Sequence, residues 1–149
     1  MKGFIFTNFV DFVEKSNGLE MVDSMISDCD LSSEGIYSAF LSYEFDELET
    51  LLTYVSRQTK TKPEVLLEKF GRFVFPYLIG KHSYIIEKYS NPLELIAGIE
   101  NHIHVEVKKL YDDAELPTFS VAKKTENSLT LIYTSSRGLT YFAIGLMKE

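Results

Sequence analysis

The longest segment with a regular pattern is residues 91–111, NPLELIAGIENHIHVEVKKLY. Asn91 and Pro92 are typical of a helix start, and apolar residues then recur at steps of three and four. This apolar stripe consists of Ile96, Ile99, Ile103, Val107 and Leu110. The spacing predicts a single amphipathic helix that begins at Asn91-Pro92 and runs to about Tyr111.

Four helices are predicted before this segment. The first ends at Gly18, and the second carries Val22, Met25 and Ile26. After a loop over residues 28–35, the third spans about residues 45–58, and the fourth has Pro63 in its first turn and Thr61 as its cap. Beyond Pro117, the pattern predicts two strands, at residues 119–122 and 128–133, around a turn at 124–127. It predicts a further helix over residues 139–147.

These elements predict an α+β fold. It comprises a helical N-terminal subdomain, a long helix and a small antiparallel sheet that is incomplete at the C-terminus. A length of 149 residues suits one domain over 1–149, which we divide by role into 1–62 and 63–149.

Composition and charge exclude several classes of protein. The formal net charge is −7 without a basic cluster, which argues against binding to nucleic acid or to anionic membranes. No apolar run is long enough to span a bilayer, and Asn8, Asp11 and Glu14 interrupt the apolar N-terminus. Cys29, the single cysteine, fits a reducing compartment, and we expect a cytoplasmic protein. No GxSxG, HExxH, P-loop or GxGxxG motif occurs, so we do not expect an enzyme.

His102 and His104 lie two residues apart on the predicted long helix. That separation rotates one side chain roughly 200° from the other, so the pair cannot chelate one ion. His104 lies at the edge of the apolar stripe, about 60° from Val107. Inward-facing histidines are usually structural, and the functional alternative is a single axial ligand to a haem iron.

The segment Tyr133-Thr134-Ser135-Ser136-Arg137 is the second candidate site. In an extended chain Tyr133, Ser135 and Arg137 share one face and present a phenol, a hydroxyl and a guanidinium along a line. This arrangement suits two carboxylates of one ligand, which Arg137 can grip bidentately. The alternative is an ordinary polar strand end.

Together these segments resemble the H-NOX (haem nitric oxide/oxygen binding, HNOB) family, in its bacterial stand-alone form. The resemblance covers essentially the whole chain. It rests on MKGFIF at 1–6, FGRF at 70–73, IHVEVKKLY at 103–111, DAELP at 113–117, the YxSxR motif of Tyr133, Ser135 and Arg137, and Gly145-Leu146.

The resemblance implies haem b (iron protoporphyrin) as cofactor and His104 as its proximal iron ligand. It implies that Tyr133, Ser135 and Arg137 bind the propionates and that Ile5 and Pro117 press on the macrocycle from opposite sides. It also implies that Gly71 brings its helix close to the haem. The remaining positions that it assigns to the haem pocket are Phe9, Val74, Leu78, Phe142 and Leu146.

Gas selectivity follows from the residues at these positions. Oxygen-binding members carry a tyrosine five residues after the motif arginine, where this chain has Phe142. Phe9, Val74 and Leu78 also lack a polar donor. An apolar pocket favours nitric oxide over oxygen, provided that the neighbouring Tyr141 does not turn inward.

The resemblance further implies how a signal leaves the domain. Nitric oxide releases His104 from the iron, and a separate signalling protein detects the change. Such partners are histidine kinases, diguanylate cyclases or chemotaxis receptors. The family's sheet and last helix continue beyond the position of Glu149, where some members place a Cys/His zinc site, so we expect this chain to lack that segment.

Two alternatives belong to other classes of protein. The first is a haem-free acidic interaction or adaptor module with a degenerate H-NOX fold. The second, more remote, is a small hydrolase that uses His104 with Glu100 or Glu106. A haem absorption spectrum discriminates between the sensor and the adaptor.

Overall fold

The structure is a computed structural model that describes residues 1–80 and 83–149. Its helices are α1 (Gly3–Asn17), α2 (Leu19–Asp28), α3 (Phe45–Thr59), α4 (Pro63–Gly80), α5 (Ser83–Ile86), α6 (Pro92–Ala97), α7 (His104–Leu110) and α8 (Thr140–Lys148). A π-helical turn spans Ile99–Ile103, and the strands are β1 (Thr118–Lys124) and β2 (Leu129–Thr134). The predicted α+β class is confirmed.

The chain forms two compact units. The first, here called the helical unit, comprises Met1–Val74 and Tyr141–Glu149. The second, here called the sheet unit, comprises Phe75–Thr140, so the boundary falls inside α4. The sequence-based division at residue 62 was made by role rather than by packing, and it stays a prediction. Within residues 1–80 and 83–149, no helix is both long and apolar enough to cross a membrane.

Aromatic side chains of α1 and α4 form the core of the helical unit. Phe9 and Phe12 of α1 are almost fully buried, and both rings contact Phe70 of α4, with centroids 5.1 and 5.6 Å apart. From α3, Leu51 and Val55 are fully buried. The helical spacing of these residues therefore did predict the buried faces.

A buried carboxylate holds the long connection between α2 and α3. Glu47 of α3 accepts hydrogen bonds from the Ser33 amide at 3.2 Å, from the Ser33 hydroxyl at 2.6 Å and from the Tyr37 phenol at 2.9 Å. Burial raises the pKa of Tyr37, which therefore remains a donor. The chain start is fixed to the same connection, because the Tyr43 amide donates to the Met1 carbonyl and the Gly3 amide donates to the Leu41 carbonyl, both at 2.8 Å.

Two glycines allow the backbones of α4 and α8 to approach closely. A Cβ at Gly71 would overlap the Phe142 carbonyl oxygen, and one at Gly145 would overlap the Glu68 carbonyl oxygen. Gly71 thus makes room for α8. Its expected role beside a haem stays a prediction.

The sheet unit differs from the prediction in its long helix, which is interrupted after Ala97. Gly98 ends α6, and the amide of Ile103 reaches back five residues to the Gly98 carbonyl at 3.4 Å, as in a π-helix. A Cβ at Gly98 would overlap the Tyr89 phenol, so a larger residue here would displace the Tyr89 side chain. The apolar stripe continues through the break, which explains why one helix was predicted.

The predicted hairpin is present. β1 and β2 pair antiparallel from Thr118 opposite Thr134 to Lys124 opposite Leu129, with an irregularity between Val121 and Lys123. The predicted Thr61 cap is wrong. The helix begins at Pro63, and the Thr61 hydroxyl instead donates to the Thr59 carbonyl at 3.4 Å.

Gly145→Ala should destabilise the protein, because its Cβ meets backbone atoms that cannot move independently of their helices. We expect a loss of about 1–3 kcal/mol, the usual range for overpacking. Thermal unfolding of this variant should be compared with Gly80→Ala, where no atom of residues 1–80 or 83–149 lies within 4 Å of an added Cβ. Equal melting temperatures for the two variants would contradict the close approach of the α4 and α8 backbones.

Glu47→Gln should also destabilise the protein. The NH2 group of glutamine replaces one of the two carboxylate oxygens and then faces a hydrogen-bond donor of Ser33 or Tyr37. We expect a loss of about 1–3 kcal/mol in urea unfolding. Glu49→Gln is the matched control on the exposed side of α3 and should change stability by less than about 0.5 kcal/mol. A similar unfolding midpoint for both variants would show that Glu47 does not hold the connection.

Candidate functional site

His104 is the first residue of α7 and follows the π-helical turn directly. Its side chain is only 13% exposed. The Nδ1 atom lies 3.3 Å from Oε2 of Glu100, one helical turn earlier. The histidine that the sequence selected is therefore largely buried and paired with a carboxylate.

Burial lowers the pKa of His104 below its ordinary value, and the neighbouring Glu100 carboxylate only partly opposes this effect. Burial therefore favours the neutral form of the imidazole. A carboxylate accepts but does not donate, so the proton lies on Nδ1 and the lone pair on Nε2. Nε2 makes no hydrogen bond with any residue in the described part of the chain. This is the protonation state in which an imidazole binds a metal ion.

Glu100 has a second partner on the hairpin. The amide of Phe119, in β1, donates to the same Oε2 atom at 3.0 Å. The Phe119 ring lies between two candidate residues, with its centroid 5.7 Å from that of His104 and 5.3 Å from that of Tyr133. One carboxylate and one aromatic ring thus connect the two parts of the predicted site.

His102 has a different environment. Its Nδ1 atom lies 2.8 Å from the phenol of Tyr89, the residue whose ring also occupies the space beside Gly98. The two histidines therefore have separate partners, as their spacing predicted. Sequence reasoning missed Tyr89, because no periodicity connects a residue of the preceding loop with the helix. The third histidine, His82, lies outside the described residues.

The YxSxR segment is extended only in part. Tyr133 lies in β2, but the strand ends at Thr134 and the chain turns before Gly138, where φ is +62°. The Arg137 amide donates to the Ser135 hydroxyl at 3.1 Å. The prediction of one extended line through Arg137 is therefore wrong, because this turn ends the strand.

The Arg137 side chain is held close to the protein surface and is only 16% exposed. Its guanidinium donates to the Glu115 carbonyl at 2.8 Å and forms an ion pair with the Glu115 carboxylate. Sequence reasoning missed Glu115, because its partner is 22 residues away. The contacts orient a cationic donor that is suited to a carboxylate ligand.

Two further candidates belong to the sheet unit. Leu78 is partly buried near the end of α4, and Pro117 is partly buried immediately before β1. Both present apolar surface without a hydrogen-bond donor.

The other candidates belong to the helical unit. Phe9 and Val74 are fully buried, whereas Ile5, Phe142 and Leu146 are partly buried. The Phe142 ring contacts Phe70 at 5.1 Å, beside the Phe9 contact described above.

Asn8 and Tyr141, the polar neighbours in sequence of Phe9 and Phe142, have their donors occupied or are exposed. Asn8 donates its amide to the Phe4 carbonyl at 2.7 Å. Tyr141 is 44% exposed and makes no hydrogen bond with a residue that the structure describes. The aromatic cluster of Phe9, Phe70 and Phe142 is therefore apolar.

Comparison with known proteins identifies the family. The sequence model of the haem-NO-binding (HNOB) family matches residues 2–149. The chain belongs to this family. A comparison with curated proteins finds no significant match.

Solved H-NOX structures agree with the membership. The Fe(II) unliganded H-NOX protein from K. algicida is 48% identical, with a TM-score of 0.95 over 99% of this chain and 80% of that chain. The H-NOX from Shewanella woodyi, bound to IWP-051 in the Fe(II)CO state, is 36% identical with a TM-score of 0.83 over 99% and 78% of the two chains. An S. oneidensis H-NOX protein in the Fe(II)NO state is 28% identical with a TM-score of 0.89 over 99% and 82%.

Proposed function

We propose that this H-NOX domain is a haem-based sensor of nitric oxide whose iron ligand is His104. The observation that carries the proposal is the largely buried imidazole of His104, whose Nδ1 atom lies 3.3 Å from the Glu100 carboxylate. Family membership supports haem b as the cofactor. The sheet unit contributes the charged groups suited to haem.

The residues present fit a haem group. His104 supplies one nitrogen ligand, and Arg137 supplies a guanidinium whose position is fixed by Glu115. Tyr133 and Ser135 complete the set of polar groups that we assign to the propionates. Ile5, Pro117 and Leu146 contribute apolar contacts in the proposal. When bound, haem supplies a ferrous iron with an open position for a diatomic gas.

Selectivity for nitric oxide follows from the lack of a side-chain hydrogen-bond donor among the residues assigned to the gas-binding side. Ferrous-bound oxygen is polarised and is stabilised by a hydrogen bond, whereas nitric oxide binds iron tightly without one. We assign Phe9, Val74, Leu78 and Phe142 to the gas-binding side, and none of them can donate a hydrogen bond. The exposed position of Tyr141 supports this assignment. The Fe(II)NO state of the S. oneidensis H-NOX protein provides a precedent for the ligand.

Signalling requires that the gas favour one of two states of the protein. We propose that nitric oxide releases His104 and that the freed side chain and its neighbours take a second arrangement. A separate effector in the cytoplasm, such as a histidine kinase, a diguanylate cyclase or a chemotaxis receptor, then detects this arrangement. The domain itself acts as a sensor rather than as an enzyme.

The remote hydrolase alternative receives no support from the contacts of His104. Its carboxylate partner is Glu100, whereas Glu106 pairs with Lys109 at 2.7 Å. No serine, threonine or cysteine in the described residues hydrogen-bonds His104. A histidine–carboxylate pair without a nucleophile does not form a triad.

His104→Gly should lose haem when purified from haem-replete cells and should regain it when imidazole is supplied. The absorption spectrum and the ratio of haem to protein measure this effect. The matched control is His102→Gly, which alters the other histidine of the segment and should retain haem without imidazole. Normal haem content in His104→Gly would refute the ligand assignment, and a wild-type protein that takes up no haem would favour the adaptor alternative.

Phe142→Tyr should introduce a hydrogen-bond donor and allow the ferrous protein to bind oxygen. We expect its absorption spectrum to change in air, whereas the wild-type ferrous spectrum should respond to nitric oxide and not to oxygen. Tyr141→Phe, which removes the neighbouring exposed phenol, should behave as the wild type. Oxygen binding by the wild type that disappears in Tyr141→Phe would show that Tyr141 turns inward.

A further inference from the structure

Glu100 occupies an unusual position for an acidic residue in a chain whose carboxylates are mostly exposed. Its side chain is 33% exposed and lies in the π-helical turn. A single oxygen, Oε2, contacts both the Nδ1 atom of His104 and the backbone amide of Phe119. These contacts join α7 to β1 through one carboxylate.

We propose that Glu100 is a positioning residue for His104, which holds the proton on Nδ1, leaves the Nε2 lone pair available to a haem iron and fixes the ring relative to β1. The inference rests on the proposed haem function. It extends that function by assigning a role to a residue outside the ligand and the YxSxR motif.

The orientation of the ring follows from the donor and acceptor properties of the pair. An imidazole has two tautomers, and only a proton on Nδ1 allows a hydrogen bond to a carboxylate. A hydrogen bond from Nδ1–H to a carboxylate also makes the opposite nitrogen a stronger donor of electron pairs to a metal. Glu100 therefore selects the tautomer and would make Nε2 a stronger ligand for the iron.

The contact with Phe119 adds a mechanical connection. Because both donors share Oε2, a movement of His104 away from Glu100 alters the environment of the Phe119 amide in β1. β1 pairs with β2 from Thr118 to Lys124, and Phe119 lies opposite Tyr133. Release of His104 is thereby coupled to the hairpin that carries the first residue of the YxSxR motif.

Other polar groups do not explain the arrangement. Glu106, two residues after His104, pairs with Lys109 rather than with the imidazole. His102 and Tyr89 form their own pair. Among the described residues, Glu100 is thus the hydrogen-bond partner of His104 Nδ1, and removing its side chain removes that partner.

The first measurement uses haem-free protein, so that it does not depend on the cofactor. Nitrogen chemical shifts of His104 report its tautomer, and hydrogen exchange reports protection of the Phe119 amide. In the wild type we expect the Nδ1–H tautomer and a protected amide. In Glu100→Ala we expect a loss of that tautomer preference and faster exchange, whereas the matched control Glu106→Gln should behave as the wild type.

The second measurement uses ferrous haem-loaded protein. Resonance Raman spectroscopy of the iron–histidine stretch should show a lower frequency in Glu100→Ala than in the wild type. Haem affinity should fall about tenfold, at the low end of the losses that accompany removal of an outer partner of a metal-binding histidine. Glu106→Gln should again match the wild type.

The outcomes separate this inference from the proposed function. If the wild type binds no haem but Glu100→Ala changes the tautomer, the function is wrong and the orienting contact remains. If His104→Gly loses haem but Glu100→Ala keeps the wild-type tautomer, amide protection and iron–histidine frequency, the function stands and this inference is overturned.

A conservative variant keeps the test decisive if Glu100→Ala does not fold. Glu100→Gln retains an acceptor oxygen for the Phe119 amide but removes the charge that faces Nδ1–H. It should keep the tautomer and the protected amide while lowering the iron–histidine frequency. A frequency equal to that of the wild type would overturn the role of Glu100 in strengthening the iron–histidine bond.

Discussion

The candidate site depends on a carboxylate that receives two hydrogen bonds at one oxygen. A carboxylate has no proton to donate, so Glu100 accepts both hydrogen bonds. The donors are Nδ1–H of His104 and the amide of Phe119. These donors come from α7 and β1, and the acceptor comes from the π-helical turn. The orientation of the imidazole is therefore a property of three elements of the sheet unit together, and the ring of Phe119 extends the network to Tyr133.

The break after Ala97 directly precedes this network, and the apolar periodicity of the sequence did not reveal it. Apolar residues at steps of three and four satisfy an α-helix, and one wider turn leaves that pattern almost unchanged. Gly98 was the available signal, since glycine inside a helix is unfavourable. The contact with Tyr89 explains this glycine: the Tyr89 phenol occupies the space that a Cβ would need, and it also pairs with His102. A contact of this kind connects positions that no periodicity relates.

Elsewhere too, features that depend on local sequence patterns could be predicted, whereas contacts between distant residues could not. The aromatic spacing before Gly18 predicted α1 and its buried face, and the β-branched residues around 119–133 predicted the hairpin, because both signals are local. His104 and the YxSxR segment were selected by their positions in the sequence pattern, and their haem roles came from resemblance and remain proposals. Glu115, which orients Arg137, and Glu47, which holds the connection before α3, were missed because their partners are distant in sequence.

The apolar character of the helical unit's aromatic cluster also depends on geometry rather than on composition. The two residues directly before Phe9 are polar, yet the side chains of Thr7 and Asn8 both donate to the carbonyl of Phe4, at 3.1 and 2.7 Å. Such hydrogen bonds to the preceding turn satisfy a polar side chain within its own helix. A donor that is bonded in this way would have to leave its carbonyl before it could stabilise a polarised ligand. In the proposed sensor, discrimination against oxygen rests on two features: the phenylalanine at position 142 and the hydrogen bonds that occupy the Thr7 and Asn8 donors within α1.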